Sequence, residues 1–190
     1  MIRWLFTIIA GFVLGGIVHL VSVLALPVIA TKDAYSRLSA VAPVNSVKVL
    51  PAVTPRNALL PYQDPAFAQA VCRYDLSDGP IKLTAPVSQA YTSVTFYTRS
   101  EVAYYAINDR SAGRRVIELD LMTGDQHRAL PEDEEVTAAD RLIIDSPTMT
   151  GLIVIKALAP EPNMMPAVLA TLNAATCRVQ TEPVAPAKRR

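Results

Sequence analysis

The sequence has few of the residues from which catalytic and metal sites are built. Its 190 residues include two histidines and two cysteines. It has no GxSxG, HExxH, GxGxxG or phosphate-binding P-loop pattern, no CxxC pair and no cluster of histidine with cysteine. These patterns mark serine hydrolases, zinc proteases, dinucleotide enzymes, P-loop NTPases and thioredoxin-like proteins. We therefore expect no bound metal and no cofactor. The absence of these patterns also argues against an enzymatic activity.

An excess of basic charge is also lacking. The chain has 18 Lys and Arg residues and 17 Asp and Glu residues. Once Arg3, which precedes a long apolar segment, is set aside, basic and acidic residues are equal in number. Proteins that bind nucleic acid present a basic face to the phosphates. The neutral balance therefore argues against a nucleic-acid partner.

What the chain does have is a long uncharged run at its start. The 27 residues from Trp4 to Ala30 include no charged side chain, and Lys32 follows almost at once. At 1.5 Å of rise per residue this helix would span about 40 Å, which exceeds a hydrocarbon core of about 30 Å. The run predicts a single-pass transmembrane anchor over residues 1–30, with the lipid bilayer as a partner.

A cleaved signal peptide is the competing interpretation of this run. Its apolar part is normally about 7–15 residues long and ends in a small-x-small site. The run here is about twice that length, and the best candidate site, Val28-Ile29-Ala30, has a bulky residue where a small one is favoured. We favour a retained anchor. The basic residues flanking it are too evenly divided to fix its orientation.

Three residues inside the predicted span have functional interpretations. Gly11 and Gly15 form a GxxxG spacing, which lets two membrane helices approach closely and self-associate, although glycine is common in membrane helices generally. His19 lies near mid-bilayer, where an ionisable residue is a candidate functional site. It has no acidic partner in the span, which favours a neutral, tolerated histidine. Trp4 begins the run.

The two cysteines, Cys72 and Cys177, lie near the two ends of the region predicted to fold. A disulfide between them would close a loop of about 105 residues and contribute up to about 4–5 kcal/mol on the chain-entropy model. Two unrelated buried thiols are the alternative. Their flanking sequences resemble the C-terminal ends of two short helices. We favour the disulfide. Because disulfides form and persist in oxidising compartments, we expect a bacterial inner-membrane protein with its soluble domain in the periplasm.

The rest of the chain divides by composition. Residues 31–62 predict a short juxtamembrane helix followed by an extended, proline-rich spacer. Asp64-Pro65 has the form of a helix start and predicts a helix ending near Tyr74. Residues 63–180 form the predicted folded domain, and residues 181–190 a disordered tail.

Alternating apolar residues and turn sequences predict the strands and the closing helix. The predicted strands are Ile81–Ala85, Tyr91–Thr98, Val102–Asn108, Val116–Leu121, Arg141–Asp145 and Leu152–Ala157. The second and third form one hairpin, the last two form another, and Met164–Ala175 is the closing helix. This order predicts an α+β fold in which a mainly antiparallel β domain is flanked by two short helices.

The stretch from Tyr74 to Gly113 resembles a known family. It contains the Asp75-Leu76-Ser77 sequence, then Gly79-Pro80, and a strand that ends at Pro86. These features are similar to the bacterial domain-of-unknown-function family 1254. The chain has Tyr91-Thr92-Ser93 where that family usually has Arg-Tyr-Tyr. The resemblance implies a small membrane-anchored member, similar to predicted integral membrane proteins, and brings no established activity or catalytic residue.

Polar residues at the exit of one predicted strand are the weak candidates for a catalytic or ligand site. They are Tyr104, Asn108, Asp109 and Arg110. Outside the span the one histidine is His127, which we interpret as a solvated surface residue. The acidic run Glu132–Glu135 could gather cations, but such a run more often forms a solvated loop.

Tyrosines on the predicted hairpin also have two interpretations. Tyr91, Tyr97, Tyr104 and Tyr105 could line a ligand groove. On strands, such residues more often form cross-strand packing pairs. Packing is therefore the favoured interpretation.

Two functional classes stay open. The leading one is a non-enzymatic, membrane-tethered module for interaction or envelope maintenance, with an envelope protein as partner or self-association through the membrane helix. The alternative is a small-molecule binding or hydrolytic domain that uses the polar group at the strand exit. Polar side chains converging on an apolar cleft would favour the alternative.

We predict that the apolar segment is retained in the mature protein, because it is too long for a signal peptide and lacks a good cleavage site. The intact mass of the protein extracted from membranes should therefore equal that of the chain with its anchor. A mature chain that begins near Thr31 would contradict this prediction.

Overall fold

A computed structural model of the chain describes residues 2–29, 33–54, 58–113, 115–130 and 142–180, without the side chains of residues 27 and 28. The acidic run Glu132–Glu135 and the predicted tail at 181–190 lie outside these residues. The chain divides into two compact units, Met1–Asp33 and Ala34–Arg190.

The first unit is one long helix, α1, at Ile2–Ile29. Its stretch from Ile2 to Leu26 is long and apolar enough to cross a membrane by length and composition. A signal sequence would satisfy the same criterion. The predicted N-terminal apolar helix is therefore confirmed.

The second unit combines nine strands with short helices, in the part of the chain that the structure describes. In chain order the elements are α2 (Ala34–Ser39), β1 (Val47–Val49), β2 (Phe67–Asp75), β3 (Ile81–Pro86), β4 (Thr92–Thr98), β5 (Ala103–Asn108), α3 (Asp109–Ala112), β6 (Val116–Thr123), α4 (Gly124–Arg128), β7 (Leu142–Ser146), β8 (Thr150–Leu158), a 3₁₀ turn (Pro162–Met164), α5 (Met165–Asn173) and β9 (Thr176–Val179).

The strands form two sheets. The first has the order β1-β2-β8-β4-β5 and is antiparallel throughout. The second has the order β7-β6-β3-β9, in which β6 and β7 are parallel and the other pairs antiparallel. The main core includes buried residues from both sheets and from α5. The α+β prediction is confirmed, as are the hairpin of β4 with β5, the strand at β3 and the helix at α5.

The helix predicted after Asp64-Pro65 is wrong, because residues 67–75 form the strand β2. The Asp64 carboxylate does accept a hydrogen bond from the Ala66 amide, at 2.9 Å, but this closes a turn and not a helix. β2 pairs with β1 on one side and along all its length with β8 on the other. Its residues from Ala68 to Cys72 are all buried. Burial and strand pairing override the local helix signal here.

The predicted last hairpin is also wrong. β7 and β8 are consecutive, but β7 pairs in parallel with β6 whereas β8 lies between β2 and β4 in the other sheet. The turn between them therefore carries the chain from one sheet to the other. The Ser146 hydroxyl stabilises this crossing by donating to the Thr148 carbonyl oxygen, at 2.7 Å.

The segment predicted as a spacer takes part in the first sheet. Val47, Lys48 and Val49 are extended, as expected, but they pair with β2 as an edge strand. Leu50, which follows them, is buried. Apolar residues thus tie this proline-rich stretch to the sheet.

Two connections between strands contain short helices. α3 directly follows β5, and its C-cap Gly113 has φ of 62°, which favours glycine. α4 follows Thr123, whose side chain accepts from the Gln126 amide in a capping box.

The predicted disulfide is present and joins the two sheets. Cys72 lies in β2 of the first sheet and Cys177 in β9 of the second, and their Cα atoms are 6.5 Å apart. Both cysteines are buried strand residues, so the expectation that they end two helices is wrong. The bond links residues 105 positions apart and therefore restricts the unfolded chain strongly.

One close contact fixes the start of β8. Gly151 pairs with Tyr74 of β2, and the Tyr74 hydroxyl donates to the Tyr97 carbonyl oxygen at 3.2 Å. A Cβ atom at position 151 would overlap the Tyr97 carbonyl oxygen and the end of the Tyr74 ring. Because one of the obstructing atoms is backbone, the sheet cannot yield locally.

We predict that Gly151→Ala lowers the free energy of unfolding by about 3 kcal/mol, because the added methyl forces the backbone and a buried ring apart. Chemical denaturation of the full chain in lipid nanodiscs measures this change. Gly124→Ala is the control: its Cβ would meet the flexible Arg128 side chain at 3.6 Å, so stability should stay the same or rise by about 0.5 kcal/mol. Equal stability of both variants would contradict the prediction.

Candidate functional site: a cleft on the first sheet

The four residues proposed from sequence at the exit of β5 serve different local purposes. The Tyr104 hydroxyl donates to the Tyr74 hydroxyl at 3.2 Å and to the Ser146 hydroxyl at 3.4 Å. The Asn108 side chain instead accepts from the Ser111 amide at 3.0 Å and caps α3. The Tyr104 and Asn108 side chains therefore belong to different hydrogen-bonded groups and do not form one site.

The other two candidates also lack a shared partner. Arg110 is exposed. One carboxylate oxygen of Asp109, Oδ1, is buried and has no hydrogen-bond partner among the described residues. The structure therefore gives no hydrogen-bonded catalytic group at this position.

The hydroxyl groups around Tyr104 form a hydrogen-bonded cluster that connects the two sheets. Tyr74, Tyr104, Ser146 and Thr148 exchange hydrogen bonds between the two sheets. Burial raises the pKa of the Tyr104 hydroxyl above its ordinary value of 10.0, the Ser146 hydrogen bond opposes the rise, and Tyr74 adds to it. A hydroxyl held neutral in this way is a poor proton acceptor near neutral pH.

His127 forms an exposed pair with Asp145. Its Nδ1 lies 2.8 Å from the Asp145 carboxylate oxygen, and the two side chains are 44% and 56% exposed. This arrangement fits the interpretation of a solvated surface residue. In the described part of the chain no group of three or more His, Cys, Asp or Glu residues could hold a metal ion.

The predicted tyrosine set divides between packing and a groove. Tyr104 and Tyr105 pack against Phe96, with ring centroids 6.2 and 5.9 Å apart. Tyr91 and Tyr97 instead line a cleft of about 560 Å³ on the outer face of the first sheet. This volume lies within the range of small-molecule sites.

The strand register positions the side chains on the cleft floor. Lys156 of β8 pairs with Gln69 of β2 and with Ser93 of β4, so these three side chains form one polar row. Four residues earlier on the same face, Leu152 begins the apolar part of the floor, and Val154 lies between.

Helix α2 covers one end of the cleft. Its Leu38 is buried in a second apolar cluster, with Leu50, Val71 and Leu152 among the other members. This cluster is separate from the core between the sheets. α2 therefore has its own apolar contact with the outer face of the sheet, which stabilises it there.

Tyr35 fixes α2 in place. Its ring contacts two guanidinium groups, with the Arg99 Cζ atom 3.9 Å and the Arg73 Cζ atom 5.5 Å from the ring centroid. Its backbone amide donates to the Glu101 carboxylate at 3.0 Å.

Residues 59–64 form the opposite wall. The Gln63 side chain accepts from the Leu60 amide and donates to Oε1 of the Gln69 side chain, both at 3.2 Å, which ties this segment to β2. Tyr62 has φ of 57° and a fully exposed side chain at the rim. The cleft thus has an apolar floor, a polar row at one end and walls held by hydrogen bonds, which is an arrangement suited to binding.

Of this cleft the sequence analysis named only Tyr91 and Tyr97, and it favoured packing for both, although two other signals indicated the cleft. Leu152 to Ile155 are all apolar, which indicates a strand covered on both faces. Leu59 and Leu60 interrupt the proline-rich segment, and both pack against the second apolar cluster. Together these signals indicate a covering segment upstream of β2.

Comparison with known proteins identifies one family. A sequence model described as "Protein of unknown function (DUF1254)" matches residues 44–178. No protein with curated annotation matches.

Two solved structures are similar in fold. The VPA0106 protein from Vibrio parahaemolyticus superposes with a TM-score of 0.56 at 12% identity, over 83% of this chain and 38% of that one. An uncharacterized protein from Burkholderia cenocepacia gives a TM-score of 0.45 at 11% identity, over 72% of this chain and 34% of that one. The chain thus spans little more than a third of either solved chain. At this identity the first likeness shows the fold alone.

We predict that the partly buried Tyr104 makes the protein lose stability above about pH 10. Because its pKa is raised in the folded state, its contribution is complete below the unfolded pKa and is lost as pH rises above it. Tyr104→Phe should make the fall of the unfolding free energy with pH less steep by up to about 1.4 kcal/mol per pH unit. The fully exposed Tyr62, changed to Phe, is the control and should keep the original slope. An unchanged slope for Tyr104→Phe would contradict the prediction.

Proposed function

The chain belongs to the DUF1254 family, and from this membership and the cleft on its first sheet we propose that it is a membrane-anchored, extracytoplasmic binding module without catalytic activity. The observation that carries the proposal is the cleft, in which polar side chains converge on an apolar floor. Such concave sites are the usual places where proteins hold small molecules.

The proposed location rests on two features. The apolar helix at Ile2–Leu26 has the length and composition of a membrane span. The Cys72–Cys177 disulfide favours an oxidising compartment. We therefore propose a single-pass inner-membrane protein with its β domain in the periplasm.

The proposal combines the two classes left open by the sequence. The tethered, non-enzymatic module is retained, and binding of a small molecule is added, at the cleft and not at the exit of β5. Hydrolysis by the β5 group has less support, since the Tyr104 and Asn108 side chains are engaged in packing and capping.

The test is to fill the cleft. Ser93 lines it from β4, so Ser93→Trp should place an indole over the floor while keeping a residue suited to a strand. Native mass spectrometry of the full chain released from nanodiscs, screened against a library of small amphipathic molecules, should detect bound ligand for the wild type. We expect Ser93→Trp to weaken that binding at least tenfold.

Ser100→Trp, in the exposed turn between β4 and β5, is the matched control and should bind as the wild type does. An intact disulfide in all three proteins shows that they have folded. Equal binding by Ser93→Trp, or no binding by the wild type, would contradict the proposed site. Turnover of esterase, phosphatase or peptidase substrates that is lost in Asp109→Asn would instead support the hydrolytic alternative.

A further inference from the structure

The cleft has a chemical asymmetry that narrows the class of ligand. The floor of the cleft changes along β8 from Leu152, which is nearly buried beneath α2, through the partly exposed Val154 to the exposed Lys156. Four residues of strand extend about 13 Å. A ligand lying along β8 would therefore meet Val154 and apolar side chains of the walls, such as Leu60, along its length and a polar group at one end.

Each acidic side chain that lines the cleft accepts a hydrogen bond from a backbone amide. The Glu101 carboxylate accepts from the Tyr35 amide at 3.0 Å, and the Asp64 carboxylate accepts from the Ala66 amide at 2.9 Å. Both carboxylates thus help to hold the segments that form the walls of the cleft.

Lys156 is the cationic residue that lines the cleft. Within the described residues its ammonium group has no hydrogen bond or ion pair, and its side chain is exposed. Gln69 and Ser93 flank it in the register, and both residue types have hydrogen-bond donors. An ammonium group with donors on both sides is suited to an anionic group.

From this arrangement we propose that the cleft binds a single-chain amphipathic carboxylate, with its hydrocarbon chain on Val154 and Leu60 and its carboxylate on Lys156. This rests on the proposed binding function and specifies its ligand class. A volume of about 560 Å³ fits a drug-sized molecule and is small for a lipid with two acyl chains. The ammonium group of Lys156 thus favours an anionic ligand, and the apolar surface of the cleft favours a hydrocarbon chain.

The experiment uses the full chain in nanodiscs of zwitterionic phosphatidylcholine and a medium-chain carboxylate that carries a photoreactive diazirine. After illumination, peptide mapping should locate the label on residues that line the cleft, in peptides containing Leu60 or Val154. Octanoate should compete with the label about tenfold more effectively than octanol, because only octanoate pairs with the ammonium group.

Substitution of the lysine tests the pairing. Lys156→Gln should remove the preference for octanoate over octanol, whereas Lys156→Arg should keep it. Lys82→Gln is the matched control, since Lys82 is also an exposed strand lysine but lies on β3 of the second sheet. It should retain the full preference. An unchanged preference in Lys156→Gln would overturn the proposal.

Other outcomes separate this proposal from the proposed function. If octanol competes as well as octanoate while the label still maps to the cleft, the ligand class is wrong and the binding site stands. If nanodiscs containing anionic phosphatidylglycerol abolish labelling, the anion is a lipid headgroup and the single-chain carboxylate is wrong. Absence of any label in the cleft overturns the ligand class, and the Ser93→Trp screen then decides separately whether the cleft binds at all.

Discussion

The two apolar faces of β8 are the constraint on which the rest of the folded domain depends. Ile153 and Ile155 point toward the core between the sheets, whereas Leu152 and Val154 point to the other side. An apolar strand face left in water would forgo about 25 cal/mol for each Å² of apolar surface that burial would remove from water. Both faces therefore need a cover, and the chain supplies two different ones.

The second sheet covers the inner face, and the disulfide between β2 and β9 ties the two sheets together. α2 and residues 59–64 cover the outer face, but these are short segments held by a few contacts, such as those of the Tyr35 ring with two guanidinium groups. A cover of this size cannot fill the whole face. The cleft is the part of the outer face that it leaves open.

The elements predicted correctly from the sequence are those whose pattern is local. β3, β4 and β5 have strong alternation or turn residues at their ends, and α5 is a simple apolar helix. β2 could not be predicted in this way, because its alanines and the Asp64-Pro65 start favour a helix until β1 and β8 pair with it. The placement of β7 and β8 in different sheets depends on partners distant in sequence. Local pattern does not contain that information.

The same reasoning explains the candidate site. The residues chosen from the sequence were polar side chains next to one another on the chain, and the structure uses two of them for packing and capping. The polar row of the cleft consists of Gln69, Ser93 and Lys156, which come from three strands and meet only through the sheet register. Its apolar part was readable in the four consecutive apolar residues that begin at Leu152. That this run has one face in the core and the other in the cleft depends on the segments that pack on each face.

The position of β8 between β2 and β4 also governs the order in which the domain can assemble. More than 80 residues separate the start of β2 at Phe67 from the start of β8 at Thr150, so all of them are synthesised before the central strand. Until then, β2 and β4 each present an unpaired edge, and pairings this distant in sequence form slowly. Unpaired edges invite association with other chains. The newly made chain thus passes through a period of vulnerability to aggregation that ends only when β8 inserts.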